Sequence, residues 1–377
     1  MSSQLFAPIT LRGVTFPNRT AIAPMCQYSA DDGAASDWHL QHLGNLALSG
    51  AGVLMLEATA VERMGRITHG CLGIYSDNAE YALGRALALC RRWGNTPIGI
   101  QLAHAGRKAS AQRPWEGGGP LSPEQDPWET VSASAIPMAE NWHTPKEATA
   151  DDLARIRDAF VTATRRAARL GIDVVEAHGA HGYLIHQFLS PISNRRTDAY
   201  GGSREKRMRF PLEVIEAMRA AWPSDKPLGA RITGSDWMEG GLTVEDAVAF
   251  ARELKALGVD YVCVSSGGIS FKAAVPIGPG YQVPLAQRIR RETGIVTRAV
   301  GLIADPHQAE RIVASGDADI VAMARAFLDD PRWVWHAAEA LGASASYPPQ
   351  YVRSRGDLWP GAKIARPQPA PAGIAAQ

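Results

Sequence analysis

Eight short apolar runs, each followed by a polar or helix-patterned stretch, constrain this chain more than any other feature. They are Arg19–Met25, Gly52–Ala60, Ile98–His104, Asp173–His178, Leu228–Thr233, Tyr261–Ser266, Ile295–Val300 and Asp319–Ala324. Strands that are apolar almost without interruption, and separated by helices, belong to a parallel sheet buried on both faces. Eight of them in a chain of 377 residues predict closure into a (β/α)8 TIM barrel rather than an open sheet. Helix starts agree with this. Thr149 and Thr243 each precede an acid by three residues, as in a capping box, and Asp305 precedes a proline at the first helical position. Gly171 and Gly258 stand where helices should end, just before the fourth and sixth runs.

This reading makes residues 1–360 one domain. The segment Ala105–Ala148, rich in Gly and Pro and holding Trp115, Trp128 and Trp142, leaves the third run as a long structureless insertion. Insertions at the C-terminal end of a barrel strand tend to be functional, so it is expected to cap the barrel as a lid; the alternative is a surface excursion. The Pro- and Ala-rich tail 361–377 is expected to be disordered.

Net charge is +1, which gives no electrostatic footprint for nucleic acid. The four cysteines, Cys26, Cys71, Cys90 and Cys263, form no C-x-x-C pair, so neither a zinc site nor an iron–sulfur cluster is expected. There is no secretory signal pattern and no apolar run of about 18 residues, the length a membrane span needs. A cytoplasmic protein is the expectation.

Catalytic groups in such barrels gather at the C-terminal ends of the strands. His178, His181 and Tyr183 follow the fourth run closely. Two neutral imidazoles can donate two hydrogen bonds to one oxygen, and a phenol nearby can supply a proton. Two other readings stay open: a metal site with Glu176 or Asp173 as a third ligand, and two loop histidines with structural partners. Arg231, inside the fifth run, needs an anion. It could face a bound anionic or electron-rich group, or pair with Glu57 or Glu176. Gly301 and Arg325 follow the seventh and eighth runs, where barrels recurrently bind phosphate, so a phosphate-bearing cofactor is expected. No G-x-G-x-x-G opens a helix, so no Rossmann domain is indicated. Cys26, after the first run, reads as a small buried hydrophobe.

The chain resembles the Old Yellow Enzyme family of FMN-dependent ene-reductases, and within it the thermophilic-like branch that includes bacterial xenobiotic reductases. The resemblance runs from about Leu5 to Arg353. It is carried by Asn18-Arg19 with Ala23-Pro24-Met25-Cys26-Gln27-Tyr28, by Gln101-Leu-Ala-His104-Ala-Gly-Arg107-Lys108, by His178-Gly-Ala-His181-Gly-Tyr183-Leu, and by Phe188-Leu-Ser-Pro191 through Asn194-Arg-Arg-Thr-Asp198-Ala-Tyr200-Gly-Gly. The resemblance implies bound FMN, with NADPH or NADH as reductant. Pro24, Met25, Cys26, Ala58, Gln101 and Arg231 would lie at the flavin, and Gly301, Ala324 and Arg325 at its phosphate. His178 and His181 would hold the carbonyl or nitro oxygen of a small unsaturated substrate, Tyr183 would be the proton donor, and Tyr28 and Cys26 would touch the substrate. It further implies a homodimer or homotetramer with a shared active site, to which a neighbouring subunit would contribute Arg353; Trp359 would lie over the substrate, as a C-terminal Trp does in some relatives. Val300 departs from a related branch that carries an aromatic residue, which implies a wider pocket. Three rival functions share parts of this pattern: a larger flavin enzyme of the dienoyl-CoA reductase type, a metal-dependent barrel hydrolase or lyase, and a flavin-binding protein without turnover.

Overall fold

Successive side chains of a strand point to opposite faces, so a strand between helices and a filled barrel needs apolar residues on both. The computed structural model describes residues 2–365. A hairpin, β1 (Ile9–Leu11) and β2 (Val14–Phe16), comes first. The eight runs then form β3 (Thr20–Ile22), β4 (Val53–Ala60), β5 (Ile98–Ala103), β8 (Val174–Gly179), β9 (Leu228–Thr233), β10 (Tyr261–Ser265), β11 (Val296–Ala299) and β12 (Ile320–Met323). Two short strands, β6 (Val131–Ser132) and β7 (Lys146–Glu147), pair outside the barrel. The eight close in the order β10-β11-β12-β3-β4-β5-β8-β9, every pair parallel. This is the (β/α)8 barrel.

Two apolar clusters divide along the alternation. Ile100, Leu102, Val175, Ala177, Ala230 and Ile232 pack outward with the helices. Ala21, Val53, Met55, Tyr261, Cys263 and Ala322 fill the interior, which Leu11 and Phe16 of the hairpin join. Gln101, Glu176 and Arg231 stand between outward residues, so they point inward. The first strand stops at Ile22, short of the Met25 expected. Pro24, which has no N–H to give to a ladder, lies just beyond.

The helix signals operate as read. Thr149 and Thr243 accept the amides of Asp152 and Asp246, whose carboxylates accept back, and Asp305 accepts the Gln308 amide at 2.7 Å. The insertion is not structureless. It holds three 3-10 turns, Gly106–Lys108, Pro114–Glu116 and Pro123–Gln125, besides β6 and β7. Arg113 donates to the Tyr28 carbonyl, Trp128 to that of Met64 and Arg107 to that of Ile269. The insertion thus ties together the loops after β3, β4 and β10, at the C-terminal end of the barrel. Ala362–Ala365 form a helical turn inside the stretch expected to be disordered; the rest of that stretch, 366–377, lies outside the described residues. Among the described residues no helix is long and apolar enough to cross a membrane.

Candidate active site

Most of the inward polar residues are linked to one another. The Glu176 carboxylate accepts from Gln101 Nε2 at 2.7 Å and from the Tyr261 hydroxyl at 2.9 Å, and it pairs with Arg298. Glu57 occupies a bulge of β4, where the register shifts between Leu56 and Ala58. Its carboxylate accepts the Gln27 amide at 3.0 Å and meets His39. Both acids that could have neutralised Arg231 are therefore engaged elsewhere.

Arg231 on β9 stands in register with His178 on β8, two residues along that strand from Glu176. It is 8% exposed, its Nε has no hydrogen-bond partner, and it makes no ion pair among the described residues. A buried lone cation is costly without an anion or an electron-rich group against it. It opens into a cavity of about 620 Å³ lined also by His181, Gly301, Ala324 and Arg325, a size typical of cofactor sites. Gly301 has φ +111°, and a Cβ there would stand 3.0 Å from Gln282 Oε1. Arg325 is exposed at the rim, without an ion pair among the described residues. A buried unpaired cation, a glycine that keeps a wall open and a second cation at the edge fit a flavin mononucleotide, with its electron-rich ring and its phosphate.

The strand end of β8 delivers the histidines. His178 and His181 lie with ring centroids 5.2 Å apart, edge to face, and the Tyr183 ring is 4.9 Å from His178. His181 and Gly182 both adopt left-handed backbone, φ +59° and +74°. A side chain at 182 could not fit, since a Cβ would lie 2.1 Å from the Gly268 carbonyl oxygen. Burial, then Arg231, pushes both imidazoles well below their ordinary value, so both rings are neutral near pH 7. Burial likewise pushes the Tyr183 phenol well up, so it keeps its proton. His181 Nε2 lies 2.7 Å from Ser265 Oγ. As for the metal reading, the two proposed extra ligands are spent: Asp173 accepts the Ile98 amide at 2.8 Å, and Glu176 is held by Arg298.

Other expected residues fall into place unequally. Pro24, Met25, Cys26 and Tyr28 are partly exposed on the loop after β3. Burial, then the Glu57 carboxylate, pushes the Cys26 thiol well up, which leaves it a thiol rather than a thiolate. Ala58 is buried and shares a small alanine-lined cavity with Tyr183 and Cys71. Gln101 is buried against Glu176. Arg353 and Trp359 are exposed, and neither lines the cavity of its own chain. Sequence reasoning missed Lys108, whose Nζ lies over the Tyr183 ring at 5.0 Å and which burial, then Arg107, brings down to about 8. It also missed Arg298, Ser265 and His186. Arg298 carried a signal: it is a cation inside an apolar run.

Residues 4–343 match the model of the NADH:flavin oxidoreductase / NADH oxidase family. The chain is 46% identical over 355 residues to an NADPH dehydrogenase of a Geobacillus species, covering 94% of this chain and 99% of that one. An NADH:flavin oxidoreductase of Gibberella zeae is 44% identical, with 90% and 86% covered. Among solved structures, morphinone reductase in complex with tetrahydroNAD superposes with a TM-score of 0.73 at 26% identity, over 92% of this chain and 93% of that one. A 2-naphthoyl-CoA reductase superposes with a TM-score of 0.81 at 25% identity over 89% of this chain, but the chain spans only 52% of its length.

Proposed function

Because the chain belongs to the NADH:flavin oxidoreductase / NADH oxidase family, as an Old Yellow Enzyme type of NAD(P)H oxidoreductase that uses FMN, we propose that it is an ene-reductase acting on the activated C=C bond of small α,β-unsaturated carbonyl or nitro compounds. The observation that carries this reading is the gathering of two neutral imidazoles and a protonated phenol beside a cavity with one lone buried cation. We assign Pro24, Met25, Cys26, Ala58, Gln101 and Arg231 to the flavin ring, and Gly301, Ala324 and Arg325 to the phosphate. When bound, FMN supplies a two-electron carrier that accepts hydride from NAD(P)H and delivers it to the substrate in a ping-pong cycle.

His178 and His181, being neutral, each present one ring N–H to the substrate oxygen. Charge grows on that oxygen as the β-carbon is reduced, so these hydrogen bonds strengthen in the transition state. For His181 the contact with Ser265 must yield or use the other ring nitrogen. Tyr183 gives its phenol proton to the α-carbon. A phenol is a weak acid, but an enolate carbon is a strong enough base to take it. Tyr28 and Cys26 border the substrate, and Arg231 offsets negative charge on the reduced ring. The insertion Ala105–Ala148 serves as the lid. Arg353 and Trp359, outside the cavity of their own chain, reach a neighbouring subunit's site in a homodimer or homotetramer.

The test is an anaerobic spectrum of the purified protein, followed as NADPH and then 2-cyclohexenone are added. A yellow protein that bleaches and then recolours supports the assignment. One that bleaches with NADPH and stays bleached removes the enone reading while leaving the flavin in place.

A further inference from the structure

His186 is fully buried in the helix Leu184–Leu189, three residues past Tyr183, and the chemistry above does not use it. Its Nδ1 receives the Gly182 amide hydrogen at 2.8 Å. A ring nitrogen that accepts carries no hydrogen, so the ring's hydrogen sits on Nε2. That N–H points at Asp236 Oδ1, 2.8 Å away. Asp236 is itself fully buried and is fixed by Ser190 Oγ at 2.6 Å and the Leu242 amide at 2.7 Å.

The amide that His186 receives belongs to the peptide joining His181 to Gly182. The carbonyl of that same peptide accepts from Lys108 Nζ at 2.9 Å. One peptide unit is thus held at both ends, and it lies inside the two-residue left-handed turn between the second histidine and the tyrosine. An L residue such as His181 adopts that conformation rarely, so the turn needs outside contacts to persist.

We infer that His186, oriented by Asp236, is a positioning residue: it pins the His181–Gly182 peptide and so aims the His181 ring and the Tyr183 phenol at the substrate. The ring acts through its Nδ1 acceptor and touches neither substrate nor flavin. This inference rests on the ene-reductase reading of the same site.

The test compares His186→Leu, which removes the acceptor, with His186→Asn, whose side-chain oxygen can stand near the Nδ1 position. The holoenzymes are titrated calorimetrically with 4-hydroxybenzaldehyde, a phenol that resembles an enolate, and FMN content and Tm are recorded alongside. Loss of one aligned hydrogen bond predicts phenol binding weaker by on the order of tenfold in His186→Leu, with kcat for 2-cyclohexenone falling more than its KM rises. His186→Asn is expected to recover most of the binding, and FMN content to stay at the wild-type level in both. Wild-type affinity in His186→Leu overturns the inference, as does equal loss in both variants that follows their FMN content. Should His186→Leu not fold, 15N NMR of the wild-type holoenzyme decides, since a hydrogen on His186 Nδ1 is incompatible with the acceptor role. If the wild type neither binds the phenol nor reduces the enone, the ene-reductase reading fails first and takes this inference with it.

Discussion

His178 on β8 stands in register with Arg231 on β9, and that guanidinium is second only to burial in keeping the imidazole unprotonated. The consequence is a pH dependence of stability with a defined sign. The folded ring titrates well below its ordinary value, while the unfolded ring titrates near 6.5. Above about pH 6.5 neither state holds the proton, so the ring has no effect there. Below it the unfolded chain binds a proton that the folded one refuses, and stability falls with falling pH, by up to about 1.4 kcal/mol per pH unit for this residue. Urea midpoints between pH 7 and 5 should show a shallower decline in His178→Asn than in the wild type. Identical profiles would mean that His178 titrates normally.

Tyr183→Phe removes one oxygen and leaves the ring beside His178. Stopped-flow reduction by NADPH should proceed at nearly the wild-type rate, because that half-reaction needs no proton from the phenol. Reoxidation by 2-cyclohexenone should slow by roughly 10²- to 10⁴-fold, the usual worth of a positioned acid. Equal slowing of both phases contradicts the proton-donor role.

Arg231→Met keeps most of the volume and deletes the lone cation. If that cation stabilises the negative charge of the reduced ring, the FMN potential should drop by roughly 30–60 mV, equivalent to about 1.4–2.8 kcal/mol for two electrons. Equilibration with a reference dye measures it. An unchanged potential returns Arg231 to a purely steric role.

Parity along the strands made the barrel and much of the site legible. Gln101 lies between the outward Ile100 and Leu102, and Arg231 between Ala230 and Ile232, so both could be read as inward polar residues. The same parity applied to Arg298, yet parity names no partner. The Arg298–Glu176 contact spans 122 residues of sequence and depends on a register that only the closed barrel fixes. For the same reason the sequence leaves Arg231 and Glu176 as candidate partners, and only the closed barrel shows that acid taken by Arg298. His186 was illegible for a different cause: it sits in a short helix buried along its whole length, where a histidine reads as packing. The left-handed backbone at His181 left no mark beyond the glycine after it.

The Arg298–Glu176 pair makes its own prediction. Both side chains are almost fully buried, and the carboxylate also receives Gln101 and Tyr261. Glu176→Gln keeps the shape but leaves a buried guanidinium uncompensated, which costs about 3–5 kcal/mol. Replacing the pair with apolar residues of similar volume should cost less than that single change. Chemical denaturation of the wild type, Glu176→Gln and an Arg298→Met/Glu176→Leu double variant checks the order. A double variant less stable than Glu176→Gln would show that Gln101 and Tyr261 depend on the carboxylate more than the cation does.

Arg353 tests whether one chain completes another's site. It lies exposed on the 3-10 turn Pro349–Ser354, beside Tyr351, whose ring reaches Trp335 at 6.0 Å. An exposed arginine with no ion pair among the described residues contributes little to the stability of its own fold. Arg353→Ala should therefore leave Tm and FMN content unchanged. If the side chain enters a neighbour's cavity, KM for 2-cyclohexenone should rise roughly ten- to a hundred-fold, since a lost charged hydrogen bond is worth about 1.5–3 kcal/mol. The same rise should appear in wild-type protein diluted until it dissociates, and the substitution should add nothing further there. An Arg353→Ala effect that persists undiminished in dissociated protein would place the residue at its own chain's site. No effect in either state would leave it a solvated surface cation.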